Sequence, residues 1–214
     1  MKIALLGAES TGKTRLAGEL AARLREQGKS VAVVPEVLRE WCDREGRQPR
    51  PQEQLPIARE QERRVDDAAR SSDIVVADTT ALMVAIYSGM LFADGELYRL
   101  ALERQRRYDI TLLTGLDLPW VPDGLQRDGP QLQRQVDALV RGALTDAGVA
   151  YRLVYGQGHE RVANALAAVA NSPGRNQARP GADDNRRWQW ACDKCSDPQC
   201  ELRLFTRATR PAPT

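Results

Sequence analysis

Eight residues carry the densest chemistry in this 214-residue chain: Gly7-Ala8-Glu9-Ser10-Thr11-Gly12-Lys13-Thr14. They fit the pattern G-x-x-x-x-G-K-[ST], between an apolar run (KIALLG, 2–7) and an amphipathic stretch (KTRLAGELAARLREQG, 13–28). Glycines let the backbone curl until successive N–H groups face inward, and a helix starting near Lys13 adds its positive end. Such a loop cradles a polyphosphate. Gly7, Glu9, Ser10, Thr11, Gly12, Lys13 and Thr14 are therefore the expected nucleotide contacts. Lys13 would reach the β- and γ-phosphates of ATP, and the Thr14 hydroxyl would ligate Mg²⁺.

Other strand ends must select the reaction. Asp78 closes the apolar run IVVAD, where a Mg²⁺-side carboxylate is expected, although Asp-Thr-Thr would also cap a following helix. Glu36 follows the second apolar run, with Arg39 one turn on. Glu36 could accept a hydrogen bond from a sugar hydroxyl or act as a base, and the two could equally form an i,i+3 surface pair. Trp120 and Asp123 lie beyond the fourth run, followed by Arg127 and Arg134. Trp120 could stack on a planar or cationic ring, or plug the core. An arginine there could stabilise a transferring phosphoryl group, or belong to a solvated face.

The elements that must position these groups alternate. Strand-like runs at 2–7, 30–36, 73–80, 108–115 and 149–156 are separated by helix-like segments. Near-continuous apolar strands alternating with helices predict a parallel sheet covered on both faces. Residues 116–130 are rich in Pro and Gly and predict a loop, expected to be a mobile lid that closes over the phosphates. The expected organisation is a P-loop domain at 1–171, a polar linker at 172–187, and a Cys-containing tail at 188–214.

Composition narrows the class. With 31 Lys and Arg against 29 Asp and Glu, the net charge is +2, too balanced to favour nucleic acid. No apolar run reaches the roughly 20 residues of a membrane span, and no leader pattern precedes the loop, so a cytoplasmic protein is expected.

The segments GAESTGKT, PEVLRE, DIVVADTT and YDITLLTGLDLPWVPDGLQ occur in one order. In these the chain resembles, over about residues 1–170, the ribosylnicotinamide kinase domain of NadR-type NAD biosynthesis proteins and the related AAA_28-type P-loop ATPases. The resemblance implies a five-stranded parallel sheet ordered 2-3-1-4-5. It implies phosphoryl transfer from ATP to the ribose 5′-hydroxyl of nicotinamide riboside or a similar nucleoside. Glu36 and Arg39 match a Glu-x-x-Arg element, Gln61 a helix glutamine, and Trp120 and Asp123 the lid entrance. Lys13, Glu36, Asp78 and Arg127 then form the expected catalytic set. The chain departs from the family at Gln126, where an arginine is usual, with Arg127 next. His159 is the only histidine, so no His-x-x-His nucleotidyl-transfer motif is present. An alternative on the same loop is a regulatory ATPase acting through a protein partner. The sequence leaves a homo-oligomer open.

Cys192, Cys195 and Cys200 form a C-x-x-C-x4-C cluster that the resemblance does not cover. The first pair has chelating spacing for Zn²⁺, but three thiolates fall short of the four ligands of a closed site. Reduced thiols, a disulfide and a Zn²⁺ site completed by another carboxylate, Cys42 or a second chain all remain open.

Overall fold

The computed structural model describes residues 1–92, 95–121 and 129–172. Its elements run β1 (Lys2–Leu6), α1 (Lys13–Glu26), β2 (Val31–Val34), α2 (Val37–Glu45), α3 (Pro51–Ala68), β3 (Ile74–Asp78), α4 (Ala81–Phe92), α5 (Gly95–Gln105), β4 (Ile110–Thr114), α6 (Gly129–Asp146), β5 (Arg152–Val154) and α7 (Gly158–Ala170). The strands form one parallel sheet in the order β2-β3-β1-β4-β5, the order expected from the sequence.

Both sheet faces are buried, which is why the strands read as unbroken apolar runs. Ile3 and Leu5 of β1 point to one side and pack with Leu16, Leu20 and Leu24 of α1 and Val162 and Ala165 of α7. Leu6 lies in the opposite cluster, with side chains from α2, α3, α4, α5 and α6. Helix α4 is apolar on all sides because neighbours surround it: Ala81 through Ile86 are each at most 4 % exposed.

Strand boundaries are tighter than expected: β2, β3 and β4 span four, five and five residues rather than seven, eight and eight. β5 is three residues long rather than eight, since only Arg152, Leu153 and Val154 find partners on β4 at this sheet edge. Helix α6 begins at Gly129, inside the segment expected to be loop. A proline in a helix's first turn loses no intrahelical hydrogen bond, so Pro130 is compatible with that start. Residues 122–128 of the expected lid, with Asp123, Gln126 and Arg127, lie outside the described residues, as do residues 173–214 with the cysteine tail.

The register fixes the site. Leu5 pairs with Asp78, and Leu6 pairs with Leu113. The carboxyl ends of β1, β3 and β4 therefore finish together, and the Gly7–Thr14 loop leaves from the middle of them. Crevices at such strand ends are where open α/β sheets bind ligands.

Candidate active site

The loop's first glycine is dictated by a close approach. Gly7 has φ +147°, and a Cβ there would lie 2.0 Å from Thr114 Oγ1. The Thr114 hydroxyl sits 2.7 Å from Thr11 Oγ1 and 3.1 Å from the Leu6 carbonyl. The Thr11 hydroxyl donates to the Ala8 carbonyl at 2.7 Å. From α6, the Gln133 amide donates to the Glu9 carbonyl at 2.8 Å, and from α7 the Arg161 guanidinium donates to the Thr11 carbonyl at 2.8 Å. The Tyr87 hydroxyl of α4 donates to the Glu9 carboxylate at 2.9 Å, and the Ser10 hydroxyl donates to the Val121 carbonyl. Partners from β4, α4, α6 and α7 thus hold the loop. Ser10, at φ +58°, adopts a left-handed conformation within it.

Helix α1 opens toward the loop uncapped. Its N-cap is Gly12, in the left-handed region, with no side-chain cap and no acidic residue in the first turn. Its first N–H groups are left for an anion, and the helix dipole favours one. The Lys13 ammonium donates to the Ala8 carbonyl at 2.7 Å, folded back over the loop. Burial lowers the Lys13 pKa, and Glu36, Asp78 and Glu9 oppose that shift. Thr14 is exposed at the start of α1.

Asp78 is 2 % exposed, and its Oδ1 has no hydrogen-bond partner. The helix-capping alternative is answered by the neighbours. Glu62 Oε1 accepts the Ala81 N–H at 3.0 Å, and Thr80 Oγ1 accepts the Leu82 N–H at 3.2 Å. With those groups on the helix start, the Asp78 carboxylate is not spent on capping α4. A lone buried carboxylate oxygen beside a phosphate cradle suits Mg²⁺, which is typically bound through one or two carboxylates plus phosphate oxygens. Next to it, Thr79 has φ +72°, a strained state for a β-branched residue and of a kind that clusters at functional sites.

Beyond the end of β2, Glu36 stands at the N-cap of α2 with no side-chain cap bond of its own. Gln61 Oε1 instead accepts the Val37 N–H at 2.9 Å. The Glu36 carboxylate makes no bond to its own helix start. Its side chain is 14 % exposed and lies 3.4 Å from Arg39 Nε, so the i,i+3 pair exists but is not a solvated one. Burial raises the Glu36 pKa, opposed by Lys13 and Arg39. Glu36, Lys13, Asp78 and Arg39 therefore share one electrostatic neighbourhood, together with Glu9 and Tyr87.

The remaining expected residues are placed less centrally. Trp120 is half-buried, one residue before the Val121 carbonyl that takes the Ser10 hydroxyl. Arg134 is exposed on α6, while its neighbour Gln133 turns to the loop. Gln61 is 1 % exposed, and its Nε2 has no partner.

Sequence reasoning missed Thr114, Tyr87, Gln133 and Arg161. Two left a trace. Gln133 lies at helical spacing with Val136 and Val140, and Arg161 lies beside Val162 and four residues before Ala165, so each is a polar residue on an apolar stripe.

This P-loop geometry agrees with the sequence comparison. A family model described as an AAA domain, AAA_28, matches residues 2–161. The chain belongs to the AAA_28 family. It is thus a P-loop nucleotide-binding domain, and ATP and Mg²⁺ are the usual ligands of this fold. No curated protein matches it. Among solved structures, a NadR protein in complex with NAD and AMP-PNP superposes with a TM-score of 0.61 at 17 % identity, over 80 % of this chain and 49 % of that one. A NadR protein in complex with NR gives 0.64 at 18 % identity, over 84 % and 52 %. The AAA_28 chain spans about half the length of these NadR chains, and the likeness at this identity is one of fold. Among the described residues, no group of three or more His, Cys, Asp or Glu side chains could hold a metal ion. Cys192, Cys195 and Cys200 lie outside those residues. No helix among the described residues is long and apolar enough to cross a membrane.

Proposed function

We propose that the chain is an ATP-dependent small-molecule kinase acting on a nucleoside hydroxyl, with the ribose 5′-hydroxyl of nicotinamide riboside as the first candidate. The observation that carries this reading is Glu36. ATP binding needs the loop, Lys13, Thr14 and Asp78. A second carboxylate in the field of Lys13 and Asp78, with no bond to its own helix start, is what an acceptor hydroxyl would require. Two NadR structures of the same fold, one bound to NR and one to NAD and AMP-PNP, support the choice of acceptor.

In this reading the loop amides and Lys13 hold the phosphates. Thr14 and Asp78 would hold Mg²⁺, which when bound neutralises charge on the phosphate oxygens. Glu36 accepts the proton of the attacking hydroxyl, Arg39 orients Glu36, and Trp120 contacts the base. Gln61, Asp123 and Arg127 complete the proposed acceptor side. Residues 1–171 form the catalytic domain, and the setting is cytoplasmic.

The test is ADP production with and without a nucleoside panel, in wild type and Glu36→Gln. Nucleoside-dependent turnover is expected, with kcat reduced about 10²–10⁴-fold in the variant and ATP affinity unchanged. Because the pKa of Glu36 is raised, its basic form is lost at a higher pH than for an ordinary carboxylate, near 4.3. The wild-type kcat should therefore fall with acidification above that value, and the variant should lack this limb. The same shift means that ionised Glu36 costs the fold stability as pH rises, so Glu36→Gln should be no less stable at neutral pH. Turnover indifferent to every nucleoside would favour the regulatory ATPase.

A further inference from the structure

Arg161 is 4 % exposed, yet it belongs to none of the recognised phosphate-loop positions. It reaches from α7 to three separate segments. Its Nη2 donates to the Thr11 carbonyl in the loop at 2.8 Å and lies 3.5 Å from the Gly115 carbonyl beyond β4. Its Nη1 donates to the Gly156 carbonyl beyond β5 and to Asp117 Oδ1, both at 2.9 Å. Asp117 Oδ2 accepts the Gly156 N–H at 2.6 Å, closing the arrangement. Glycine is required where these loops meet: a Cβ on Gly115 would come within 2.2 Å of the Tyr155 ring, and Gly156 has φ +99°.

An apolar residue would dock α7 onto the sheet at less desolvation cost than a buried guanidinium with one carboxylate partner. What the guanidinium adds is direction. In a trans peptide, the carbonyl and the following N–H point to opposite sides. Holding the Thr11 carbonyl toward α7 turns the Gly12 N–H away from it, at the uncapped start of α1. We propose that Arg161 is a positioning residue for the polyphosphate chain of the nucleotide: it aims the Gly12 amide at the anion, and Asp117 holds Arg161 in that pose. The proposal rests on the P-loop reading and is independent of the acceptor.

The probes are ATP and inorganic tripolyphosphate, which lacks a base. Arg161→Met should weaken both by the same factor, roughly ten- to a hundredfold, the scale of one charge-assisted hydrogen bond. Arg161→Lys should recover part of the loss, and Asp117→Asn should show a smaller one. The Gly12 amide resonance should shift strongly when tripolyphosphate is added to wild type and weakly in Arg161→Met, a response that loss of stability alone would not alter. If Arg161→Met weakens ATP but leaves tripolyphosphate affinity intact, the residue acts on the base side and the proposal is overturned. Unchanged affinities and an unchanged Gly12 response overturn it as well. Should Arg161→Met fail to fold, Asp117→Asn carries the same readouts with the same meaning. A wild type that binds neither probe overturns the nucleotide reading itself, and this proposal with it.

Discussion

The phosphate loop and the proposed acceptor side share one electrostatic neighbourhood and are built in opposite ways. Around the loop, Thr11, Gln133 and Arg161 hold backbone carbonyls, and Tyr87 holds the Glu9 carboxylate. At the proposed Mg²⁺ and acceptor positions, Asp78 Oδ1 and Gln61 Nε2 are buried without partners and Glu36 keeps a pKa raised by burial, whereas among the loop's supports named above only Arg161 Nε is left so. Unmet buried polar groups cost free energy and persist in native proteins where function needs them. The loop is preorganised by the protein, whereas the acceptor side leaves polar groups for a ligand to satisfy. Every nucleotide that such a fold binds carries phosphate, whatever the acceptor, so the phosphate cradle can be completed in advance.

The sharpest way to break this contrast is Lys13→Ala. It should reduce turnover about a thousandfold with little change in thermal stability, since the charge acts on phosphate and its burial costs the fold. Wild-type turnover in that variant would remove the loop from the chemistry. Gly7→Ala attacks preorganisation directly. With a Cβ 2.0 Å from Thr114 Oγ1, it should cost about 2–4 kcal/mol in denaturant unfolding, and Gly7→Ala combined with Thr114→Ala should recover part of that. A fully tolerated alanine would show that the loop is softer than its contacts imply. Gln61→Leu is the smallest probe and separates the two sides. It leaves the buried Val37 N–H without its partner and should cost about 1–3 kcal/mol in stability. If Gln61 is also an acceptor contact, KM for the nucleoside should rise while ATP affinity holds.

The five strands and the loop were legible in the sequence because each rests on local pattern: apolar runs, a Gly-Lys-Thr signature and strand–helix alternation; the strand order came from the family resemblance. Asp78 and Glu36 were legible because strand ends in such sheets converge. The hydroxyl of Thr114 was not, because only the pairing of β4 with β1 brings it over Gly7. Gln133 and Arg161 show in a linear reading only as polar residues on an apolar stripe, with no sign of what they bond, and Tyr87 is hidden in an almost wholly apolar helix. Their roles depend on the docking of helices, which no local spacing encodes. Gln61 shows the converse. The family resemblance pointed to substrate, and the structure also gives its carbonyl oxygen a helix to cap.

Strand β1 lies in the middle of the sheet although it precedes every other strand in the chain. Its neighbours and the loop's supports arrive much later: Thr114 follows Thr11 by 103 residues, Gln133 follows Glu9 by 124, and Arg161 follows Thr11 by 150. At roughly 5–20 residues per second, a ribosome needs on the order of 8–30 s to deliver that last support. Until β3 emerges some 70 residues later, Ile3, Ala4, Leu5 and Leu6 have no partner strand, and long-range parallel pairing is intrinsically slow and exposed to aggregation. The nucleotide cradle is thus translated before its supports and completed only when α7 emerges. A nascent chain halted before residue 161 would carry the whole Gly-Lys-Thr signature and should fail to retain tripolyphosphate.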